Sequence, residues 1–219
     1  MSDRPRPGTN ALSGLCLRTE RLELRVPTED ELPAFAALAE LGIHPPEEMP
    51  FLVPWTDGVG APGFVEEFVG YHSGLLRDAR PERWGLEFGV FVDGAPAGFQ
   101  GVHTREFPTQ QIVSTGSWLG RRFQQRGIGT EMRVAVLAFA FDGLGARAAE
   151  SAAFEGNTSS ARVSEKLGYL PTIEVMAAPR GVPVRQQCYR LDREAWLARP
   201  RPAVEVDGLE PALQFLRLR

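Results

Sequence analysis

The sequence predicts an α/β (α+β) domain, and three stretches carry that prediction. Residues 86–107, LEFGVFVDGAPAGFQGVHTREF, hold two apolar runs around Asp93-Gly94, the dipeptide that favours a tight hairpin. Residues 112–141 read as a strand, IVSTGSWLG, a basic glycine-containing turn and a long helix that is apolar on most faces. Residues 28–41 and 64–79 repeat apolar side chains at helical spacing. Hydrophobic residues make up 43% of the 219 and charged ones 24%, enough to bury a sizeable core.

The elements follow in order. In 15–27, Leu15, Leu17, Leu22 and Leu24 alternate as in a strand, interrupted at Thr19-Glu20. Thr28 and Glu31 have the spacing of a capping box and open a helix in which Pro33 is tolerated near the first turn. Residues 42–63 are rich in proline and glycine but carry Met49, Phe51, Leu52, Val53 and Trp55, so this loop must fold over something apolar. The 64–79 helix, weakened by Gly70 and Gly74, precedes the 86–107 hairpin. After the 112–120 strand and the helix at 128–141, residues 146–156 read as a strand of small side chains. Residues 157–169 form a short helix closed by Gly168, 182–192 a last strand, and REAWLA a turn of helix.

Residues 1–13 are read as a disordered leader, 14–199 as one domain, and 200–219 as a tail whose apolar residues dock on the domain or on the partner of a homodimer. The first residues lack the apolar core of a signal peptide, and no apolar run reaches the ~18–20 residues of a membrane span. Cys16 and Cys188 are far apart, without metal-ligand spacing, and are read as free thiols of a cytoplasmic protein. A net charge of −4 argues against nucleic acid as the main partner and mildly favours a cationic one.

FQQRGIGTEM, residues 123–132, is the most informative segment. A helix start leaves about four N–H groups without intrahelical partners. Together with the helix dipole these favour a bound phosphate. Gly127 and Gly129 let the main chain approach closely, and Arg121, Arg122 and Arg126 add positive charge. A diphosphate matches this arrangement. The segment is neither GxxxxGK[ST] nor GxGxxG, because no Gly-Lys pair follows and Met132 stands where the third glycine belongs. The bland alternative is that the glycines only permit a tight turn between strand and helix.

Gln124-x-x-Gly127-x-Gly129, after a strand and opening a helix, resembles the [RQ]xxGx[GA] motif of GCN5-related N-acetyltransferases (GNAT). TERLELR (19–25) and NTSSARVSEKLGY (157–169) resemble segments of the ribosomal-protein alanine acetyltransferase (RimJ/RimL-like) branch, in the right order across about 15–195. MPFLVPWT and GSWLG are similar to a subset associated with succinyl-CoA. The resemblance implies a mixed, mostly antiparallel sheet of six to seven strands with helices on both faces. Its fourth and fifth strands, mapped to 112–119 and 147–154, would splay apart to admit pantetheine. It implies acetyl-CoA or succinyl-CoA as co-substrate and no metal. Trp118, Leu119, Phe123, Gln124, Gln125, Arg126, Gly127, Ile128, Gly129, Thr130, Asn157 and Ser160 fall on its cofactor-binding positions.

In such a family a primary amine, on a small molecule or a protein, attacks the thioester directly, and neither cysteine has a histidine base beside it in the sequence. Ser160 matches the position that assists the departing thiolate, while Tyr169 is read as packing. A main-chain N–H around Trp118–Leu119 would face the oxyanion. The base is open among Glu87, His103, Glu106, Glu150 and a water relay; His103 has an ordinary pKa near ~6.5, suited to the task. Met49, Phe51 and Trp55 either roof the substrate site, with His103 beside it, or plug the core. A succinyl carboxylate would look to His44, Arg105 or loop amides. The competing readings are a non-catalytic acyl-CoA binding or sensing module and a nucleotide-binding protein.

Overall fold

The computed structural model describes residues 12–218. Nine strands are present among them: β1 (Cys16–Arg18), β2 (Leu22–Arg25), β3 (Arg83–Val92), β4 (Ala95–Arg105), β5 (Ile112–Leu119), β6 (Ala148–Phe154), β7 (Leu170–Ala177), β8 (Val184–Asp192) and β9 (Glu205–Asp207). They form one sheet in the order β7-β8-β6-β5-β4-β3-β2-β1-β9. Every neighbouring pair is antiparallel except β5 and β6.

The helices are α1 (Leu32–Glu40), α2 (Phe64–Arg77), α3 (Phe107–Gln110), α4 (Ile128–Ala138), α5 (Thr158–Lys166), α6 (Arg193–Leu197) and α7 (Leu209–Phe215). The alternation of β3 sorts the two faces of the sheet. Leu86, Phe88 and Val90 pack with the apolar side of α4, and Phe91 packs with Phe35 of α1, Phe68 of α2 and Phe99 of β4.

The hairpin of β3 and β4 turns at Asp93 and Gly94, with φ of 50° and 76°, the left-handed pair that matches the twist of the strands. Helix α1 starts at Leu32, later than its capping-box spacing predicts. The Glu31 carboxylate takes the Thr28 N–H at 2.9 Å but is also held by the Arg25 guanidinium at 2.7 and 2.6 Å, so 29–31 remain a turn. That ion pair, foremost, holds Glu31 well below the usual carboxylate range, at about 2. The apolar run at 128–141 is α4, continued by a wider π turn over Phe139–Gly143.

The strand count exceeds the six to seven expected. β7 gave no readable period because all but its last residue are exposed and the strand lies at the sheet edge, where Pro171 at a register break is tolerated. β9 comes from the tail, pairs with β1, and leads into α7, which buries Ala212 and Leu213. The leader expected over 1–13 lies outside the described residues as far as 11; Leu12, at its end, is buried in the core. Cys16 and Cys188 are free thiols. No helix among the described residues is long and apolar enough to cross a membrane.

Candidate active site

β5 and β6 pair only at Ile112–Ala148, Val113–Ala149 and Ser114–Glu150, although β5 runs on to Leu119 and β6 to Phe154. Beyond Ser114 the strands part. The Thr115 hydroxyl closes the ladder by donating to the Glu150 carbonyl at 3.1 Å. Each diverging strand is held on its outer side, β5 by β4 and β6 by β8. The opening is a cleft of about 780 Å³, walled by β5 from Ser114 to Leu119, Ser151 and Ala152 of β6, Gly129 and Met132 of α4, and Asn157, Ser160 and Val163.

The turn into α4 stands at the end of this cleft. Gln125 and Gly127 take left-handed φ of 57° and 81°, a region that glycine enters without steric cost. The first bond of the helix runs from the Thr130 N–H to the Gly127 carbonyl at 3.1 Å. The N–H groups of 125–129 therefore have no acceptor among the described residues. Arg21 and Thr19 brace the turn from β1–β2: Arg21 Nε–H donates to the Glu131 carboxylate at 2.7 Å and Nη1–H to the Arg126 carbonyl at 3.1 Å, and the Thr19 hydroxyl reaches Glu131 at 2.6 Å. Arg121, Arg122 and Arg126 are exposed around it.

Gly129 lines the cleft, and its backbone does not need glycine. A Cβ there would meet nothing nearer than Leu119 Cδ1 at 3.8 Å and Val163 Cγ2 at 3.9 Å, which are ordinary contacts. The absent side chain thus leaves room on the cleft wall beside open amide donors, as a bound diphosphate requires.

The predicted cofactor residues separate into groups. Trp118, Leu119, Gln124, Gly129, Asn157 and Ser160 line the one cleft, while Gln125, Arg126, Gly127, Ile128 and Thr130 form the turn at its end. Phe123 is instead a buried core residue whose N–H donates to the Gly120 carbonyl, and Arg122 lies 4.7 Å over its ring. Gln124 holds the framework: its N–H donates to the Arg121 carbonyl, and its side-chain amide donates to the carbonyls of Leu119 at 2.8 Å and Ile43 at 2.7 Å. Asn157 caps α5, accepting the Ser160 N–H at 3.2 Å, and leaves Ser160 Oγ without a protein partner among the described residues.

The 42–63 loop borders the same cleft. Phe51 and Trp55 line it, and Trp55 packs 5.6 Å from the Trp118 ring and flat against Phe64. These residues both wall the cleft and cover the core under α2. Met49 is half-buried and forms no part of the wall, whereas Leu52 and Val53 line the cleft at its exposed rim. Asp57 pairs with Arg180, Nε to Oδ2 at 2.9 Å, which ties the loop to the turn between β7 and β8.

His103 and Glu87 lie outside this cleft. His103 faces a neighbouring groove of about 1010 Å³ that shares Ser114 and Glu150 with the first. His103 Nε2–H donates to the Glu87 carboxylate at 2.8 Å. Gly85 and Gly101 make the space, since a Cβ on either would stand 2.5–2.6 Å from the imidazole or the carboxylate. Burial pulls the His103 pKa down, but the hydrogen bond and charge of Glu87 outweigh it, and the net shift is upward from 6.5. Of the other groups that feel Glu87, Tyr71 is pushed up to about 12, mainly by burial, and burial holds His72 below the usual histidine value.

The remaining predicted side chains are distributed differently. Glu150 pairs with Arg190 at 3.2 Å beside the shared seam, and Glu106 lines neither groove. Both ring nitrogens of His44 are engaged, with the Pro45 carbonyl and the Thr56 hydroxyl, and Arg105 faces the second groove. Sequence reasoning missed Arg133, a buried cation in the wall of the first cleft. Its signal was a single charged letter in the apolar run MRVAVLAFAF.

Residues 21–170 match the family described as acetyltransferase (GNAT) domain. Among solved structures, Mycobacterium smegmatis RimJ in complex with CoA-disulfide is similar with a TM-score of 0.68 and 17% identity, over 92% of this chain and 94% of that one. RimL, a ribosomal L7/L12 alpha-N-protein acetyltransferase in complex with coenzyme A, is similar with a TM-score of 0.66 and 19% identity, over 81% and 97%. The microcin C7 self-immunity acetyltransferase MccE in complex with acetyl-CoA and AMP gives 0.63 and 14%, over 79% and 93%. At these identities the likeness is one of fold.

Proposed function

Because this chain belongs to the GNAT acetyltransferase domain family, we propose that it is a CoA-dependent N-acyltransferase that moves an acetyl or succinyl group to a primary amine within a ternary complex. One observation carries the reading: β5 and β6 part after Ser114–Glu150 into a cleft that ends at open main-chain amides. The N–H groups of 125–129 and the start of α4 hold the diphosphate of the acyl-CoA substrate, with the exposed arginines around them. The free edge of β5 receives the pantetheine arm as a strand edge receives another strand.

The amine enters by the second groove and meets the thioester at the shared Ser114–Glu150 seam. Its nitrogen bonds the carbonyl carbon, the C=O electron pair moves to oxygen to give a tetrahedral oxyanion, and collapse of that intermediate breaks the C–S bond and releases the CoA thiolate. His103, oriented by Glu87, takes the proton from the amine, directly or through a water. A main-chain N–H on the open edge of β5 faces the oxyanion, and the Ser160 hydroxyl, free of protein partners among the described residues, supports the departing thiolate. Phe51 and Trp55 keep water from the thioester.

Thiol release from acetyl-CoA and succinyl-CoA over a panel of small and peptide amines tests the proposal. Turnover on an amine supports it. Tight acyl-CoA binding with no turnover on any amine would favour the sensing module, and stabilisation by ATP or NAD exceeding that by CoA would favour a nucleotide-binding protein.

A further inference from the structure

Among the described residues one buried charge has no counterion. Arg133 sits on α4 between Met132 and Val134, only 3% exposed. Burying a guanidinium is costly unless an anion accompanies it. Yet among the described residues no carboxylate lies within 4.0 Å of Arg133. Its neighbours are neutral oxygens, one from each of three strands. Nε–H donates to Gln100 Oε1 on β4 at 3.2 Å, Nη1–H to Ser151 Oγ on β6 at 3.1 Å, and Nη2–H to Ser117 Oγ on β5 at 3.5 Å. A guanidinium has five N–H donors, so these bonds leave two of them open.

The arrangement is built. Gln100 is fully buried, and its own amide donates to the carbonyls of Gly116 at 2.8 Å and Gly101 at 3.1 Å, which fixes its oxygen toward Arg133. Ser117 and Ser151 belong to the two strands that have just parted, so the guanidinium lies across the opening and lines the cleft. As a mere wedge between strands, the position needs no charge. A positive charge with open donors in a low-dielectric wall becomes favourable when an anion enters the cleft, above all one it can bind with two parallel bonds.

We propose that Arg133 receives a carboxylate at the far end of the transferred acyl chain, so that the preferred donor carries a short dicarboxylic acyl group. This rests on the acyltransferase reading above. The phosphates of CoA are a poor match for this site, because the open amides and exposed arginines gather at the turn into α4, and Arg133 lies four residues, roughly 6 Å along the helix axis, beyond them. An acetyl group brings no charge to it. The other cations considered from the sequence are placed differently: His44 has both ring nitrogens engaged, and Arg105 faces the second groove.

The test uses the full chain and compares succinyl-CoA with butyryl-CoA, a neutral donor of similar length, and with acetyl-CoA, by calorimetric Kd and by kcat/KM on one amine. The wild type binds and uses succinyl-CoA about ten- to a hundredfold better than butyryl-CoA, as expected for a charge-assisted pair. In Arg133→Gln the succinyl-to-butyryl ratio collapses to about one, whatever happens to absolute rates, and Arg133→Lys restores part of it. A wild type that shows no preference for succinyl-CoA overturns the proposal without need of any variant. A ratio unchanged in Arg133→Gln, with all donors weakened alike, overturns it in favour of a structural wedge. Turnover of acetyl-CoA with no preference refutes only this inference, whereas binding of no acyl-CoA at all refutes the acyltransferase reading and this inference with it.

Discussion

Replacing Gly129 by alanine separates the ligand from the fold as the reason for that glycine. The added methyl would meet only Leu119 Cδ1 at 3.8 Å and Val163 Cγ2 at 3.9 Å, so the free protein accommodates it. The position is the second residue of α4. Alanine in a helix is worth about 0.5–1 kcal/mol over glycine, and near a helix start the lower figure applies. For a chain of this size that is a rise in Tm of about 1–2 °C. The same methyl points into the cleft beside the open amides, where it keeps a diphosphate from closing on at least one N–H. Losing one charge-assisted hydrogen bond costs about 1.5–3 kcal/mol, or roughly 10- to 150-fold in Kd for CoA. Thermal unfolding without ligand and calorimetric titration with CoA measure the two effects on one preparation. Gly127→Ala is the control: at φ 81° a side chain adds about 1–2 kcal/mol of strain, and Tm falls. If Gly129→Ala lowers Tm by several degrees and leaves the Kd of CoA unchanged, the glycine serves the fold and the cradle reading is refuted.

Three further outcomes are expected. Ser160→Ala keeps the Asn157 cap, which uses only the main-chain N–H, so Tm stays within ~0.5 kcal/mol equivalent while kcat falls by about 10²-fold in stopped-flow or thiol-release assays. Glu87→Gln moves the acid limb of the kcat/KM–pH profile. A histidine base must be neutral to act, so the wild-type rate climbs as pH rises through a value above 6.5; without the carboxylate only burial remains, and the limb shifts to lower pH. An unmoved limb would remove His103 from the base role. Truncation at residue 201 strips the cover that α7 and the following turn provide through Leu213 and Leu216. At about 1.5–3 kcal/mol for each leucine, much of a domain's stability is lost, which circular dichroism melting and solubility would report.

Elements whose side chains alternate between two environments were legible. β3 and β4 alternate between the α4 layer and the α1–α2 layer, and Asp93-Gly94 fixed their turn. The cleft strands were mapped at nearly their observed bounds because the cradle turn follows one of them directly. β7 was hidden because a strand exposed on both faces has no period to read. Phe123 and Gln124 sat in the right motif, but spacing cannot tell a side chain that faces a ligand from one that holds the turn in place. Arg133 escaped notice because its meaning depends on three strands that are distant in sequence, each supplying one neutral oxygen.

The position of the gap has a physical reason. β9-β1-β2-β3-β4-β5 and β6-β8-β7 are two antiparallel ribbons, and β5–β6 is the single parallel joint between them. Parallel pairing is somewhat weaker per residue, and each ribbon satisfies its own inner ladder, so parting the joint sacrifices only the bonds between two strands. Those sacrificed bonds are partly replaced. The Thr115 hydroxyl serves the Glu150 carbonyl, and the Gln124 amide serves the Leu119 carbonyl. What is left is a stretch of strand edge held open at both ends inside a walled cleft. An open edge is a template for another polar chain. On the proposed reading a pantetheine arm with its two amides supplies such a chain, and its thioester lies toward Ser114 and Glu150, residues that the second groove also reaches. The two grooves meet at this joint, an arrangement that suits the direct attack in a ternary complex proposed above.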